Sequence, residues 1–269
     1  MTVKHSRKLL NLLAGGMSLR EIYADCLLDV YEGTAPTNPE DAATGTKLFR
    51  VSLASATVAQ PASELLGLAA TRAVPNVWEI TVGSGSTEGN TVKVTVTVDS
   101  VETTYTYTIL AADNSDAKVA AKVARMLNDI PEIQAIYYGT GAVIWAQCRI
   151  AGLAMTIANG GGTYAISPVS KVTAVATSCL QFGPPAAGVI SKPTAATWTG
   201  LNLAGGTAGY FRVVTPSDPG ILDTGYIHPR TQGTLATVGG DATIDPSTVT
   251  IGATSTVTSF TLTIPTSST

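Results

Sequence analysis

The sequence predicts a mainly β protein. Its expected plan is an antiparallel β-sandwich or barrel-like host domain, an inserted small α+β domain and a short helical N-terminal arm. Three observations carry this. Short alternating or apolar segments recur, punctuated by turn signals at Gly183-Pro184-Pro185, Gly205-Gly206, Pro216 to Gly220 and Gly239-Gly240. The clearest helical pattern of the chain follows Asn114-Ser115. That helix sits in a stretch with its own strand–helix–strand order, long enough to be a domain, and flanked on both sides by β-type segments. The predicted boundaries are 1–23 for the arm, 24–59 and 180–269 for the discontinuous host domain, 60–74 and 171–179 for connectors, and 75–170 for the insert.

In the arm, 6–13 reads as a short helix ended by Gly15-Gly16. Ser18 and Glu21 have capping-box spacing, a hydroxyl at the cap and a carboxylate three residues on, and start a helical turn through Tyr23. A strand is expected over 26–31. Asn38, Pro39 and Gly45 then have the cap, first-position proline and closing glycine of a short helix. Residues 47–54 alternate, with Leu48, Arg50 and Ser52 opposed to Phe49, Val51 and Leu53, as in a half-buried strand. The connector after it holds a helical turn over 63–68.

The insert opens with a strand over 78–82 and a glycine-rich loop over 83–90. Val92, Val94, Val96 and Val98 then share one face of a strand. Tyr105, Tyr107 and Ile109 share one face of the next, and a turn at about 99–103 makes the pair a hairpin. Ser115 or Asn114 caps the helix, and Asp116 suits its positive N-terminus. Ala120, Val123, Ala124 and Leu127 form its apolar stripe, before Pro131. Strands follow at 133–138, 142–148 and 154–157. In the C-terminal host segment, strands are expected at 197–203, 209–214, 225–228, 234–237, 249–251 and 257–264, a spacing that suits a sandwich or barrel.

Composition narrows the function. Charged residues are 13% of the chain, about half the usual share, with Thr, Ser, Ala and Gly in their place. Such a surface suits a permanent assembly. A net charge of −3 offers no general attraction to nucleic acid, and Glu21, Asp25 and Asp29 dilute the basic residues near the start. No apolar run reaches about 18 residues, so no membrane helix is expected. The basic-then-apolar start is broken by Asn11, Arg20 and Glu21, unlike a signal peptide. Cys26, Cys148 and Cys179 have no metal-ligand spacing and read as buried free thiols of a reducing cytoplasm.

No motif assembles an active site, and no cofactor or metal is expected. The histidines are His5 and His228, and no nucleophile elbow is present. GSGSTEG at 83–89 runs into a Val-rich strand, not into a phosphate-binding helix. Asp223, Asp241 and Asp245 read as turn formers, and Glu79, Glu88 and Glu102 as solvated acids. Trp78, Trp145 and Trp198 lie in apolar strand patterns, as core residues do.

Two blocks resemble a family of virion structural proteins of tailed bacteriophages. One is YEGTAPTNPEDAATGTKLFRVSL after an opening helix; the other is AGVISKPTAATWTGLNLAGGTAGYFRVV, with TSTVTSFTLTIP near the end. The resemblance implies a non-enzymatic structural protein of the virion, assembled in the bacterial cytoplasm. It would form a homo-oligomer at the head–tail neck or collar or on the capsid surface, bound to its own copies and to neighbouring virion proteins. It also implies a short loop between the blocks, where this chain carries its insert. The alternative is a glycan-adhesion module of a tail fibre or baseplate. The interaction residues singled out are Tyr137, Tyr138 and His228: two adjacent tyrosines on a strand, one of them facing outward, and a histidine before Pro229 at a strand end.

Overall fold

The computed structural model of the protein describes residues 3–52, 75–83, 85–137, 139, 141–150, 152–172, 180, 182–186 and 188–263. The chain divides into two compact units. A host unit takes Met1–Arg72 and Thr177–Thr269, and an inserted unit takes Ala73–Ala176. The protein is mainly β, with several antiparallel sheets and few helices.

The host unit begins with β1 (Lys4–His5), α1 (Arg7–Ala14), α2 (Leu19–Ile22), β2 (Leu27–Glu32) and β3 (Lys47–Val51). The inserted unit holds β4 (Val77–Val82), β5 (Thr91–Val98), β6 (Val101–Thr108), α3 (Asp116–Asn128), β7 (Ile133–Tyr137), β8 (Val143–Cys148), β9 (Met155–Asn159) and β10 (Ile166–Val172). The host unit resumes with β11 (Val189–Ser191), β12 (Trp198–Leu201), β13 (Gly206–Val214), β14 (Arg230–Ala236), β15 (Ala242–Asp245), β16 (Thr248–Val249) and β17 (Thr254–Thr263).

The host sheet runs β11-β17-β15-β14-β13-β2-β3. It curls because β17 also pairs with β12, and β12 leads into a bridge between Asn202 and Phe49 of β3. Gly200 makes that approach possible, since a Cβ there would lie 2.4 Å from the Arg50 carbonyl oxygen. The pairings are antiparallel except for a short parallel contact between β14 and β15. Inside the curl, Phe182 meets Trp198 and Phe260 at 5.8 and 5.4 Å, and Phe211 meets Phe260 edge-on at 4.9 Å.

The expected N-terminal arm is not an arm. Lys4 and His5 pair with Gln232 and Thr231 of β14, and Leu9, Leu19 and Tyr23 are buried in the host core. An amphipathic helix with one strong apolar side buries it wherever a core is within reach. Its caps follow the sequence, with Ser6 accepting from Leu9 N, and Ser18 and Glu21 forming the capping box.

Three further host expectations fail. The segment from Asn38 to Gly45 has no helix, because its carbonyls serve other donors: Pro39 O and Glu40 O accept from Arg230, and Asp41 O accepts from Arg212. Strand β3 is buried on both faces from Leu48 to Val51, because Arg50 turns onto a buried carboxylate. No strand forms over 225–228, because the backbone there folds onto the Asp223 carboxylate. The ends of the predicted 47–54 and 257–264 strands, the turn at 63–68 and most of both connectors lie outside the described residues; Lys171 and Val172 belong to β10.

In the inserted unit the sheets are β10-β4-β8-β7 and β6-β5-β9. Both contribute to one core with α3, through Ile80, Ile144 and Ile133 on one side and Val92, Val94 and Val96 on the other. Helix α3 buries Val119, Ala120, Val123, Ala124 and Leu127, is capped by Ser115 and carries Asp116 in its first turn. The β5–β6 hairpin closes through Asp99-Ser100, both at positive φ (53° and 67°), so the turn is the tight two-residue kind that matches strand twist. Strand β10, unforeseen in the sequence, carries Pro168 on a sheet edge, where a missing N–H is tolerated.

Candidate interaction surface

The host unit contains a loop, 215–229, whose backbone is fixed by buried charge and whose apolar side chains face solvent. Arg230, the first residue of β14, is fully buried. Its Nε and Nη2 donate to the two Asp218 oxygens at 2.6 and 2.7 Å. Nη2 also reaches Ile221 O at 2.8 Å, and Nη1 reaches Glu40 O at 3.0 Å. A bidentate, charge-assisted pair of this kind has both strength and fixed direction. Asp218 accepts a further bond from Gly220 N.

Asp223 fixes the other end of the loop. Its N–H donates to Glu40 O, and its carboxylate accepts from Ile227 N at 3.1 Å and His228 N at 2.9 Å. Burial works to raise its carboxyl pKa; the two backbone N–H bonds outweigh it, and the group is held below the usual carboxylate range. These bonds fold 223–228 onto one carboxylate, which is why no strand forms there. Tyr226 takes a positive φ of 50° within this turn.

The loop therefore presents Ile221, Leu222, Tyr226 and Ile227 outward, with Ile221 and Ile227 each 63% exposed. Beside it lies an open, mainly polar hollow of about 420 Å³ lined by His5, Arg7, Glu40, Asp41, Asp223 and Tyr226, among others. Arg7 stacks over the Tyr226 ring at 4.7 Å, and Glu40 accepts from Arg7 N at 2.7 Å. His5 contacts Thr231 Oγ1 through Nδ1 at 3.0 Å, and burial lowers its pKa.

Of the residues singled out in the sequence, His228 lies at the end of this loop. It is half-buried, and its main chain is bonded at both ends, N–H to Asp223 and O to the Ser6 hydroxyl. Tyr137 belongs to the inserted unit, where it packs against the core and donates to Gly141 O. His228 and Tyr137 thus belong to different units. Tyr138 and Cys179 lie outside the described residues.

The tryptophans divide. Trp198 is core, and Trp78 packs on the inserted core and donates to Met155 O. Trp145 is in neither apolar cluster. Ile144, Ala146 and Cys148 point inward, so Trp145 stands half-exposed on the opposite sheet face, over a hollow of about 150 Å³ with Gln134, Ile136 and Gln147. Among the described residues, no group of three or more His, Cys, Asp or Glu is placed to hold a metal, and no helix is long and apolar enough to cross a membrane.

Sequence reasoning missed the buried charges. Asp29 is paired with Arg50 at 2.5 Å and with Lys47 at 3.3 Å, and Arg212 donates to Gln232 and to Asp41 O. A usable signal existed: Asp29, Arg50 and Arg212 are each a lone charge inside an apolar run, in LLDVY, LFRV and GYFRVV. No family model matches the chain, and no curated protein matches it.

Proposed function

We propose that the chain is a non-enzymatic structural component of a tailed-phage virion, assembled as a homo-oligomer at the head–tail neck or on the capsid surface. The observation that carries this reading is the 220–228 loop, which holds four large apolar side chains in water on a backbone fixed by Arg230, Asp218 and Asp223. Exposed apolar groups of this kind mark interaction sites. A loop already fixed loses little conformational freedom when it docks. The low charge of the chain leaves little repulsion between copies. The YEGTAP and GTAGYFRVV blocks, with their likeness to virion proteins, supply the setting. The partners are other copies of the chain and neighbouring virion proteins; nucleic acid and membrane are not contacted. Quantitative mass spectrometry of purified particles tests this. Hundreds of copies fit capsid decoration, and roughly six to twenty-four fit a neck ring; absence from particles overturns the proposal.

A second reading, adhesion to a bacterial surface glycan, is favoured by Trp145. A half-exposed indole beside two glutamine amides offers a sugar both a flat apolar face and hydrogen bonds. Saturable binding of the protein to bacterial cells, lost in Trp145→Ala, would select it.

A further inference from the structure

The geometry points to the free edge of β6 as a strand-pairing surface for a second copy of this chain, joining two inserted units edge to edge. The inference rests on the homo-oligomeric reading above for its choice of partner, and it names a surface that reading does not.

An exposed sheet edge is a template for another strand, and proteins normally blunt it with proline, lysine, bulges or short length. The other edges of the inserted unit are blunted. Strand β10 carries Pro168, Lys171 and a register shift between Ser170 and Val172. Strands β7 and β9 have five residues each. Strand β6 has eight, without proline, lysine or a break in register, and among the described residues it is an outer strand of its sheet. Its residues are exposed apart from Tyr105 and Tyr107, which pack on the core; Val101 is 65% exposed.

The hairpin fixes which backbone groups are free. In a two-residue turn the flanking pair, here Val98 and Val101, exchanges both hydrogen bonds, and bonding alternates from there. The bond from Ile109 N to Asn90 O, 2.8 Å long, agrees with that alternation. Odd-numbered residues of β6 therefore bond to β5. Glu102, Thr104, Thr106 and Thr108 direct their N–H and C=O groups to the open edge.

That edge is complementary to itself. With two copies antiparallel about a two-fold axis, Thr104 faces the other copy's Thr106, and Glu102 faces its Thr108. No like charges meet, and roughly eight backbone hydrogen bonds form. The side chains also match by face: threonines meet on the outer face, as Thr95 and Thr104 already do at 2.8 Å, and Tyr105 meets Tyr105 on the core side. A slip by one residue would set residues whose backbone groups face the open edge opposite residues already bonded to β5, and core-side tyrosines against outer-face threonines, and is disfavoured.

The test uses the full chain, measured by light scattering and by amide hydrogen exchange. Thr106→Pro removes an outward N–H without touching a bond to β5. A second variant, Thr104→Lys with Thr106→Lys, sets like charges across the proposed seam. The expected result is an associated wild type whose particle mass falls at least two-fold in both variants. Thr104 and Thr106 amides should be protected in the wild type only, while Thr103 and Tyr105 amides stay protected throughout. An associated wild type with fast exchange at Thr104 and Thr106, and unchanged mass in both variants, overturns the β6 seam and leaves the homo-oligomer standing. A wild type that is monomeric at every concentration overturns both.

Discussion

The host unit and the inserted unit both bury an apolar core against strands, yet they use charge in opposite ways. The host unit buries Asp29, Arg50, Arg212, Asp218, Asp223 and Arg230. In the inserted unit, Asp113 is the charged side chain in the buried set among the described residues. It accepts from the Tyr107 hydroxyl and from Leu110 N beside α3. Buried ion pairs add little net stability because desolvation offsets attraction, but removing one partner is severe. What the host pairs supply is geometry: Arg230 and Arg212 hold carbonyls of 39–41 and 221, and so decide where two loops lie. The inserted unit reaches one structure by apolar pattern, capping and turn chemistry. The host unit needs its ions to specify loops that no pattern encodes.

The sharpest way to break this comparison is Arg230→Met. It leaves Asp218 buried without its cation and should cost the host unit about 3–5 kcal/mol. Hydrogen exchange, read separately over β13–β14 and over α3, should show the loss in the first region. Leu127→Ala, which empties part of the inserted core, should do the reverse at about 2–5 kcal/mol. If Arg230→Met leaves host protection intact, the ionic account of that unit fails.

Acid supplies a milder contrast. Burial pushes the Asp29 carboxyl up, but hydrogen bonding and charge from Arg50, with the charge of Lys47, outweigh it and hold the folded-state pKa below the usual 3.8. The folded value is depressed, so its contribution is fully present above the unfolded-state value and is lost as pH falls through the folded one. Asp29→Asn should therefore lower host stability at neutral pH and flatten its decline below about pH 4. Urea melts at stepped pH, followed by exchange in β2 and β3, check this; an unchanged acid slope removes Asp29 from the account.

The smallest effect expected is a gain. Ser100 sits at φ 67° in the β5–β6 turn, a conformation that costs a side-chain residue more than glycine. Ser100→Gly should stabilise the inserted unit by about 0.5–1 kcal/mol and leave the host unit unmoved. A thermal melt with exchange read in β5 is sufficient, and a loss of stability there would contradict the turn assignment.

These contrasts also explain what was legible in the sequence. The valines of β5, the stripe of α3 and the caps at Ser18 and Ser115 are local periodicities, and each appears where its spacing puts it. The Asn38–Pro39 helix did not form because a donor nearly 200 residues away in the chain, on Arg230, takes the carbonyls of Pro39 and Glu40. Trp145 and Trp198 look alike in sequence. Strand parity decides each case: α3 covers the other face of the Trp145 strand, whereas Trp198 points into the host core. The loop carrying Ile221 and Ile227 was hidden because Asp218 and Asp223 read as ordinary turn aspartates until their partners are known.

The order of strands in the host sheet has a consequence for synthesis. Strand β2 pairs with β13, its partner residues separated by about 180 positions, with the whole inserted unit made in between. At the ribosome's pace of about 5–20 residues per second, β2 waits on the order of 10–40 s for that partner. The inserted unit, complete in one stretch, can fold during the wait. Until β13 emerges, LLDVYE and KLFRV form at best a lone hairpin, apolar on both faces and carrying the Asp29–Arg50 pair in water. The nascent chain is most prone to sticking, and most in need of a chaperone, in the interval after the insert has closed and before the host sheet can.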